Sequence, residues 1–235
     1  MKTMPLAYYD GNTELEGFLA IPEQPGKKPA VIVAHDWSGR NEFACNKAKN
    51  LAELGYIGFA LDMFGKGKLG KTTEEKSALI QPFVQDRAVL RQRITTALEA
   101  LKKVDDVDTH RIAVIGFCFG GLCALDLARS GADIKATVSF HGLLNPPDKL
   151  PKQTIKAKIL ALHGHDDPMV PPEQVLAFEQ EMTKAQADWQ VHVYGHTMHA
   201  FTNPVANDKN FGTVYEAKAD KRSWRAMVNF FEEVL

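Results

Sequence analysis

A cysteine between two glycines lies where an apolar run meets a helical pattern. Residues 115–121 read IGFCFGG, which is the G-x-C-x-G form of a nucleophile elbow, with cysteine in place of serine. The turn is so sharp that larger side chains at the glycine positions would clash. It also places Cys118 at a helix N-terminus, where free N–H groups and the helix dipole favour a thiolate and an oxyanion. Cys118 is therefore a candidate nucleophile, and a buried cysteine at an Ala-rich helix start is the alternative.

An elbow nucleophile needs an acid and then a histidine later in the chain. The segment HGHDDPMVPP (163–172) follows one apolar run and offers Asp167, with Asp166 as its competitor. The segment GHTMHAF (195–201) follows the next run and offers His199, with His196 as its competitor. The order nucleophile, acid, histidine is complete, although spacing alone leaves both pairs open.

Strands alternating with helices must position these residues. We predict strands at 6–9, 15–21, 29–35, 56–61, 111–116, 134–140, 157–163 and 189–194, and helices at 42–54, 86–103, 118–129, 172–183 and 213–234. This alternation predicts an α/β fold with a mostly parallel central sheet flanked by helices. The turn signal at 10–12 adds an N-terminal antiparallel hairpin. No segment has the composition of a linker, so we expect a single domain over 1–235.

Five segments together resemble the dienelactone hydrolase family of the α/β-hydrolase fold. They are HDWSG (35–39), LAELGY (51–56), RIAVIGFCFGG (111–121), HGHDDPMVPP (163–172) and HAF (199–201). The resemblance implies an ester or lactone hydrolase with a Cys118–His199–Asp167 triad. The family's D-x-x-V and H-[ASG]-F spacings select Asp167 over Asp166 and His199 over His196.

The resemblance also assigns supporting groups to three positions. The family has an acidic residue, usually Glu, that interacts with the resting thiol, and Asp36 matches it with a side chain one methylene shorter. The backbone N–H groups of Trp37 and Phe119 match the oxyanion hole. Such donors stabilise charge that develops in the transition state.

The chain departs from the family at the two arginines that hold the substrate's carboxylate. Asn203 stands at one of these positions, and the segment 72–83 that should carry the other has no Arg and only Lys76. Arg87 and Arg91 follow this segment. Because the anion clamp is lost or altered, we expect neutral esters to be preferred over anionic dienelactones, and we extend this expectation to activated neutral phosphotriesters.

Composition excludes several other classes of protein. The chain has 28 Lys and Arg against 29 Asp and Glu, without the basic excess typical of nucleic-acid-binding proteins. No run of about 18 apolar residues predicts a membrane span, and the N-terminus does not resemble a signal peptide. The three cysteines, with Cys45 and Cys123 as packing residues, favour a reducing, cytoplasmic location. His35 and His163 are interpreted as supporting or core groups, and no spacing suggests a metal or cofactor.

The sequence therefore predicts a hydrolase that cleaves esters or lactones through a cysteinyl thioester. The partners expected are a small-molecule substrate and, in a homodimer, a second copy of the chain. A non-hydrolytic small-molecule-binding or thiol redox-sensing protein on the same fold is the alternative. Aromatic side chains are expected to line an apolar pocket: Trp37, Phe64, Phe83, Phe117 and Phe119.

Overall fold

The computed structural model describes residues 1–235, and a central β-sheet organises it. The strands are β1 (Lys2–Asp10), β2 (Thr13–Ile21), β3 (Lys28–Ala34), β4 (Ile57–Ala60), β5 (Val107–Phe117), β6 (Ala136–Phe140), β7 (Lys158–Gly164), β8 (Trp189–Tyr194), β9 (Asn207–Asp208) and β10 (Thr213–Val214). Eight of them form one sheet in the order β1-β2-β4-β3-β5-β6-β7-β8. The β1–β2 hairpin and the β2–β4 pair are antiparallel, and the other pairs are parallel. The predicted α/β-hydrolase architecture, with its N-terminal hairpin, is confirmed.

Six helices cover the two faces of this sheet. They are α1 (Glu42–Glu53), α2 (Thr73–Gln85), α3 (Arg87–Leu101), α4 (Phe119–Arg129), α5 (Pro172–Lys184) and α6 (Ala217–Val234). One apolar layer contains side chains of α2, α3, α4 and α5, and the layer on the other face contains side chains of α1 and α6. None of the helices is long and apolar enough to cross a membrane.

The central strands carry apolar side chains on both sides, which explains why helices cover both faces of the sheet. In β3, Ile32 packs into the first layer while Val31 and Val33 pack into the second. Ile32 pairs in register with Val114 of β5, which faces the same layer. Both sides of these strands are apolar, as expected for parallel strands between helices. Helix α4 is buried along its whole length, so the junction between β5 and α4 is fixed by packing on every side.

Helix α2 was not among the predicted helices. Pro82 lies inside it, and proline normally interrupts a helix. Its start carried a readable signal. The Thr72 side chain accepts from the Glu75 backbone N–H at 3.2 Å, and the Glu75 side chain accepts from the Thr72 N–H at 3.2 Å. This capping box satisfies two of the amides that a helix start leaves free.

Two other details of the prediction were wrong. The last helix begins at Ala217 rather than at residue 213, because 213–214 pair with 207–208 as a short strand. Leu54 and Val89 lie at apolar positions of the helical patterns at 42–54 and 86–103, which predict buried side chains, but they are 45% and 39% exposed. Leu54 caps the end of α1 and Val89 lies in the first turn of α3, where the chain emerges from the packed layers.

Candidate active site

The turn between β5 and α4 holds Cys118 in an unusual backbone conformation. Its φ is 56° and its ψ is −117°, a region that non-glycine residues rarely occupy and that is costly to hold. The Cys118 N–H donates to the Phe140 carbonyl at 3.1 Å, which ties the turn to β6. The side chain is partly exposed, so the sulfur is accessible at the start of α4.

The flanking glycines allow this turn to pack. A Cβ at Gly116 would lie 1.9 Å from the Gly120 carbonyl oxygen, and one at Gly120 would lie 2.1 Å from that of Ala34. Backbone atoms occupy both positions, so no side chain could be accommodated by rotation. The elbow thus needs glycine before and after the cysteine, as its sequence pattern predicted.

His199 and Asp167 meet at the ends of β8 and β7. The His199 Nδ1 lies 2.7 Å from the Asp167 Oδ2, and both side chains are buried. The other carboxylate oxygen of Asp167 accepts from the Met169 N–H at 2.9 Å. The His199 backbone is tied to the chain that precedes α6, with its N–H donating to Gly212 at 3.0 Å.

The second ring nitrogen of His199 is buried and has no hydrogen-bond partner in the protein. Burial is the largest influence and lowers the pKa of His199, but the negative charge of Cys118 and the hydrogen bond to Asp167 outweigh it. Together these groups raise the pKa of His199 to about 10. The imidazolium form is therefore favoured while the sulfur carries its charge.

The competing pair lies elsewhere. Asp166 and His196 are both exposed, and the Asp166 N–H donates to the Thr197 carbonyl at 2.9 Å as part of a turn. His196 adopts a positive φ of 57° in the loop after β8. The structure thus joins Asp167 to His199, and it places Asp166 and His196 on the surface.

The two amides predicted for the oxyanion hole both lack protein acceptors. Neither the Trp37 N–H nor the Phe119 N–H donates a hydrogen bond within the chain, and both residues line the cavity that contains Cys118. Asp36 lines the same cavity, and its Oδ1 accepts from the Ser38 N–H at 2.7 Å. Its assignment as the partner of the resting thiol stays a prediction.

Cys118 and His199 both face a cavity of about 1060 Å³. Its aromatic lining comprises Trp37, Phe43, Phe117, Phe119 and Phe211. The Trp37 and Phe211 rings stack with their centroids 5.6 Å apart. Phe64 and Phe83, which were expected to line the cavity, do not. Both are buried behind Phe119, with ring centroids 6.0 Å from it.

The candidate cations for an anion clamp have different surroundings. Arg87 lies outside the cavity, because its guanidinium forms a bidentate ion pair with the buried Asp126 at 2.6 and 2.7 Å. Arg91 is also absent from the lining. Lys76 and Asn203 do line the cavity, and the Lys76 Nζ lies 5.4 Å from the centre of the Trp37 ring. One of the three cations named from the sequence therefore reaches the cavity.

His141 is a site residue that the sequence analysis did not identify. It follows β6 at the same edge of the sheet, lines the cavity, and has its ring centroid 5.2 Å from that of His199. Its Nε2 lies 2.8 Å from the Thr202 Oγ1. Burial first, and then the charge of His199, hold the pKa of His141 well below its ordinary value. The signal that could have found it was its position directly after a buried strand at the edge that carries Cys118.

No group of three or more His, Cys, Asp or Glu side chains is arranged to hold a metal ion.

Comparisons with known proteins place the chain in a family. The sequence model of the dienelactone hydrolase family matches residues 15–235. A protein of Aquifex aeolicus (strain VF5) named "Putative carboxymethylenebutenolidase" is 28% identical over 227 residues, which cover 94% of each chain.

Two solved structures are similar along almost the whole length. The dienelactone hydrolase-like promiscuous phosphotriesterase P91, from metagenomic libraries, is 38% identical with a TM-score of 0.92, and the alignment covers 99% of this chain and 98% of that one. The protein m3DLH is 40% identical with a TM-score of 0.94, over 100% of this chain and 98% of that one. The sequence match, the strand order and these structures agree: the chain belongs to the dienelactone hydrolase family and is a hydrolase of the α/β-hydrolase fold.

Proposed function

We propose that this single-domain protein hydrolyses esters or lactones through a thioester on Cys118. The observation that carries the proposal is the 2.7 Å hydrogen bond between the His199 Nδ1 and Asp167. It orients the ring and leaves Nε2 without a partner beside the thiol that lines the same cavity. A nucleophile, a base and a group that orients the base are the components of a catalytic triad.

In the acylation step, the His199 Nε2 takes the proton of the Cys118 thiol and the sulfur attacks the acyl carbon. The carbonyl electrons move onto oxygen, and the free N–H groups of Trp37 and Phe119 hold the resulting oxyanion. When the carbonyl re-forms, the bond to the leaving oxygen breaks, and His199 donates its proton to that oxygen. The products of this step are an alcohol and the thioester.

In the deacylation step, His199 takes a proton from water as the water oxygen attacks the thioester carbon. The carbon–sulfur bond breaks, and its electron pair leaves on the Cys118 sulfur. The carboxylic acid departs and the thiolate remains beside the imidazolium. Asp167 stabilises that imidazolium throughout, since its carboxylate accepts the Nδ1–H.

The lining of the cavity supports a substrate with an uncharged, aromatic or otherwise apolar group. Aromatic walls exclude water and offer stacking faces, and Asn203 stands where the family has an arginine. A neutral phosphotriester makes the same demands for an attacking sulfur and an oxyanion hole. The 38% identity to a promiscuous phosphotriesterase supports proposing this as a side activity.

The test is to trap the acyl-enzyme. An aryl ester is mixed with the protein, quenched with acid and analysed by intact-protein and peptide mass spectrometry, together with measurement of steady-state turnover. We expect one acyl group on Cys118 and no turnover by the folded Cys118→Ala variant. Turnover near the wild-type rate in that variant would refute the assignment. Modification of Cys118 without turnover by the wild type would favour a binding or redox-sensing protein instead.

A further inference from the structure

His35 links the loop after β3 to the chain that follows β4. Its Nδ1 lies 2.6 Å from the Asp36 carbonyl oxygen, and its Nε2 lies 3.2 Å from the Met63 backbone nitrogen. The side chain is 1% exposed. Its ring packs against Phe64 with centroids 4.7 Å apart, so packing as well as hydrogen bonding restrains it.

These two contacts determine which ring nitrogen carries the proton. The Met63 nitrogen is a backbone N–H and can only donate, so Nε2 must accept and carries no hydrogen. Burial lowers the pKa of His35, which keeps the ring neutral. A neutral imidazole with a bare Nε2 carries its hydrogen on Nδ1. Nδ1–H therefore donates to the Asp36 carbonyl.

The carbonyl of Asp36 and the N–H of Trp37 belong to one peptide group. No peptide bond in the chain is cis, so the two bonds point in opposite directions. With the carbonyl directed at His35, the Trp37 N–H is directed away from it, and that N–H has no protein acceptor. The Gly39 N–H also donates to the Asp36 carbonyl, at a longer 3.3 Å.

We propose that His35 is a positioning residue of the oxyanion hole. Its Nδ1–H fixes the Asp36–Trp37 peptide in the orientation that offers the Trp37 N–H to the substrate oxygen, and it polarises that peptide so that the N–H becomes a stronger donor. This inference rests on the proposed hydrolytic function. The His35 ring also lies 6.5 Å, centroid to centroid, from that of Phe119, whose own N–H is the second donor.

Two substitutions separate the two hydrogen bonds of the ring. In His35→Asn the side-chain amide nitrogen can occupy the Nδ1 position and still donate to Asp36. In His35→Gln the amide oxygen can occupy the Nε2 position and accept from Met63, but no donor reaches Asp36. We expect His35→Gln to slow acylation by an aryl ester at least about tenfold, approaching the 10²–10³ cost of losing a whole donor. His35→Asn should lose clearly less.

A second reaction distinguishes positioning from a loosened fold. Alkylation of Cys118 by iodoacetamide displaces iodide from a saturated carbon and creates no oxyanion. We expect its rate in both variants to equal that of the wild type, while acylation separates them. Equal acylation by His35→Gln and wild type would overturn the proposal, as would a parallel loss of acylation and alkylation.

The protonation state of His35 can be measured in the wild-type protein, without any variant. Two-dimensional ¹⁵N–¹H spectra of the histidine rings at neutral pH should show His35 protonated at Nδ1, and the Nε2–H form would overturn the proposal. The same assays keep the two hypotheses apart. If the wild type forms no acyl-enzyme, the proposed hydrolytic function fails. If it does and His35→Gln does so equally fast, only the role of His35 fails.

Discussion

His199 is buried against a carboxylate on one side and faces the thiol on the other. Its two ring nitrogens therefore have different environments, with Nδ1 bonded to Asp167 and Nε2 unpartnered. A histidine held in this way can move a proton in the cavity without first breaking a protein contact. The nearby His196 has no such contacts and lies on the surface.

We predict that His199→Asn lowers kcat/KM for an aryl ester by roughly 10³-fold or more, because general base and acid catalysis are both lost. His196→Asn is the matched control, since asparagine tolerates the positive φ of 57° at that position. It should change kcat/KM by less than about threefold. Steady-state kinetics of the two purified variants would decide, and the reverse ranking would show that the wrong histidine was chosen.

The protonation of His199 should depend on Cys118. Burial lowers the pKa of His199, but the charge of Cys118 and the hydrogen bond to Asp167 raise it to about 10, so the imidazolium is favoured while the sulfur is ionised. In Cys118→Ala the charge of the sulfur is gone while burial still lowers the pKa. We therefore expect the His199 pKa to fall in this variant. An NMR titration of the ring would measure it, and an unchanged pKa would contradict the coupling.

At the scale of elements, the β5–α4 turn determines where the thiol stands. Apolar residues on both faces predicted β5, and the glycines on either side of Cys118 predicted the sharp turn that follows. The close approach of Gly120 to the Ala34 carbonyl also joins the turn to the end of β3. This contact places the loop of Trp37 beside the start of α4, so one packing contact supports both oxyanion donors.

Gly120→Ala should be strongly destabilising, because its Cβ would lie 2.1 Å from a backbone oxygen. We expect a loss of about 1–3 kcal/mol or more in the free energy of unfolding, as for overpacked cores. Gly195→Ala is the control, since no atom lies within 4 Å of its added Cβ; it should stay within about 0.5 kcal/mol. Urea unfolding measures both, and equal midpoints would show that the turn can relax.

Across the whole molecule, the parallel sheet collects residues that are far apart in sequence. Strands β3, β5, β6, β7 and β8 end at one edge, and the segments that follow them carry the loop of Asp36, then Cys118, His141, Asp167 and His199. The loops after β4 and β8 close the cavity around this edge. The preference of the cavity for neutral or charged substrates therefore depends on several segments of the chain together.

We predict that a neutral aryl ester is a better substrate than an anionic dienelactone. One missing hydrogen bond to a charged group costs about 1.5–3 kcal/mol, which is roughly 10- to 150-fold in kcat/KM. Lys76→Met should reduce activity on the anionic lactone more than on the neutral ester, because Lys76 lines the cavity. A hundredfold preference of the wild type for the anionic lactone would contradict this prediction. It would mean that a cation such as Lys76, Arg87 or Arg91 replaces the family's arginines.

The sequence by itself determined most of the elements and the residues proposed for the candidate site. Apolar runs predicted the strands because parallel strands are buried on both faces, and the elbow pattern predicted the turn because only glycine fits there. No helix was predicted at α2, where a capping box at Thr72 favours a helix and Pro82 disfavours one, so two local signals disagree there. The motif spacings also selected Asp167 and His199, which the structure brings together.

Only the tertiary structure decided which side chains share the cavity. Phe64 and Phe83 have the same side chain as Phe119 but pack behind it, outside the cavity lining. Arg87 also stays outside, because it forms an ion pair with the buried carboxylate of Asp126. The approach of His141 to His199 likewise depends on the pairing of β6 with β5 and β7. These contacts cannot be predicted from side-chain type and spacing along the chain, because the elements that form them meet only when the sheet is assembled.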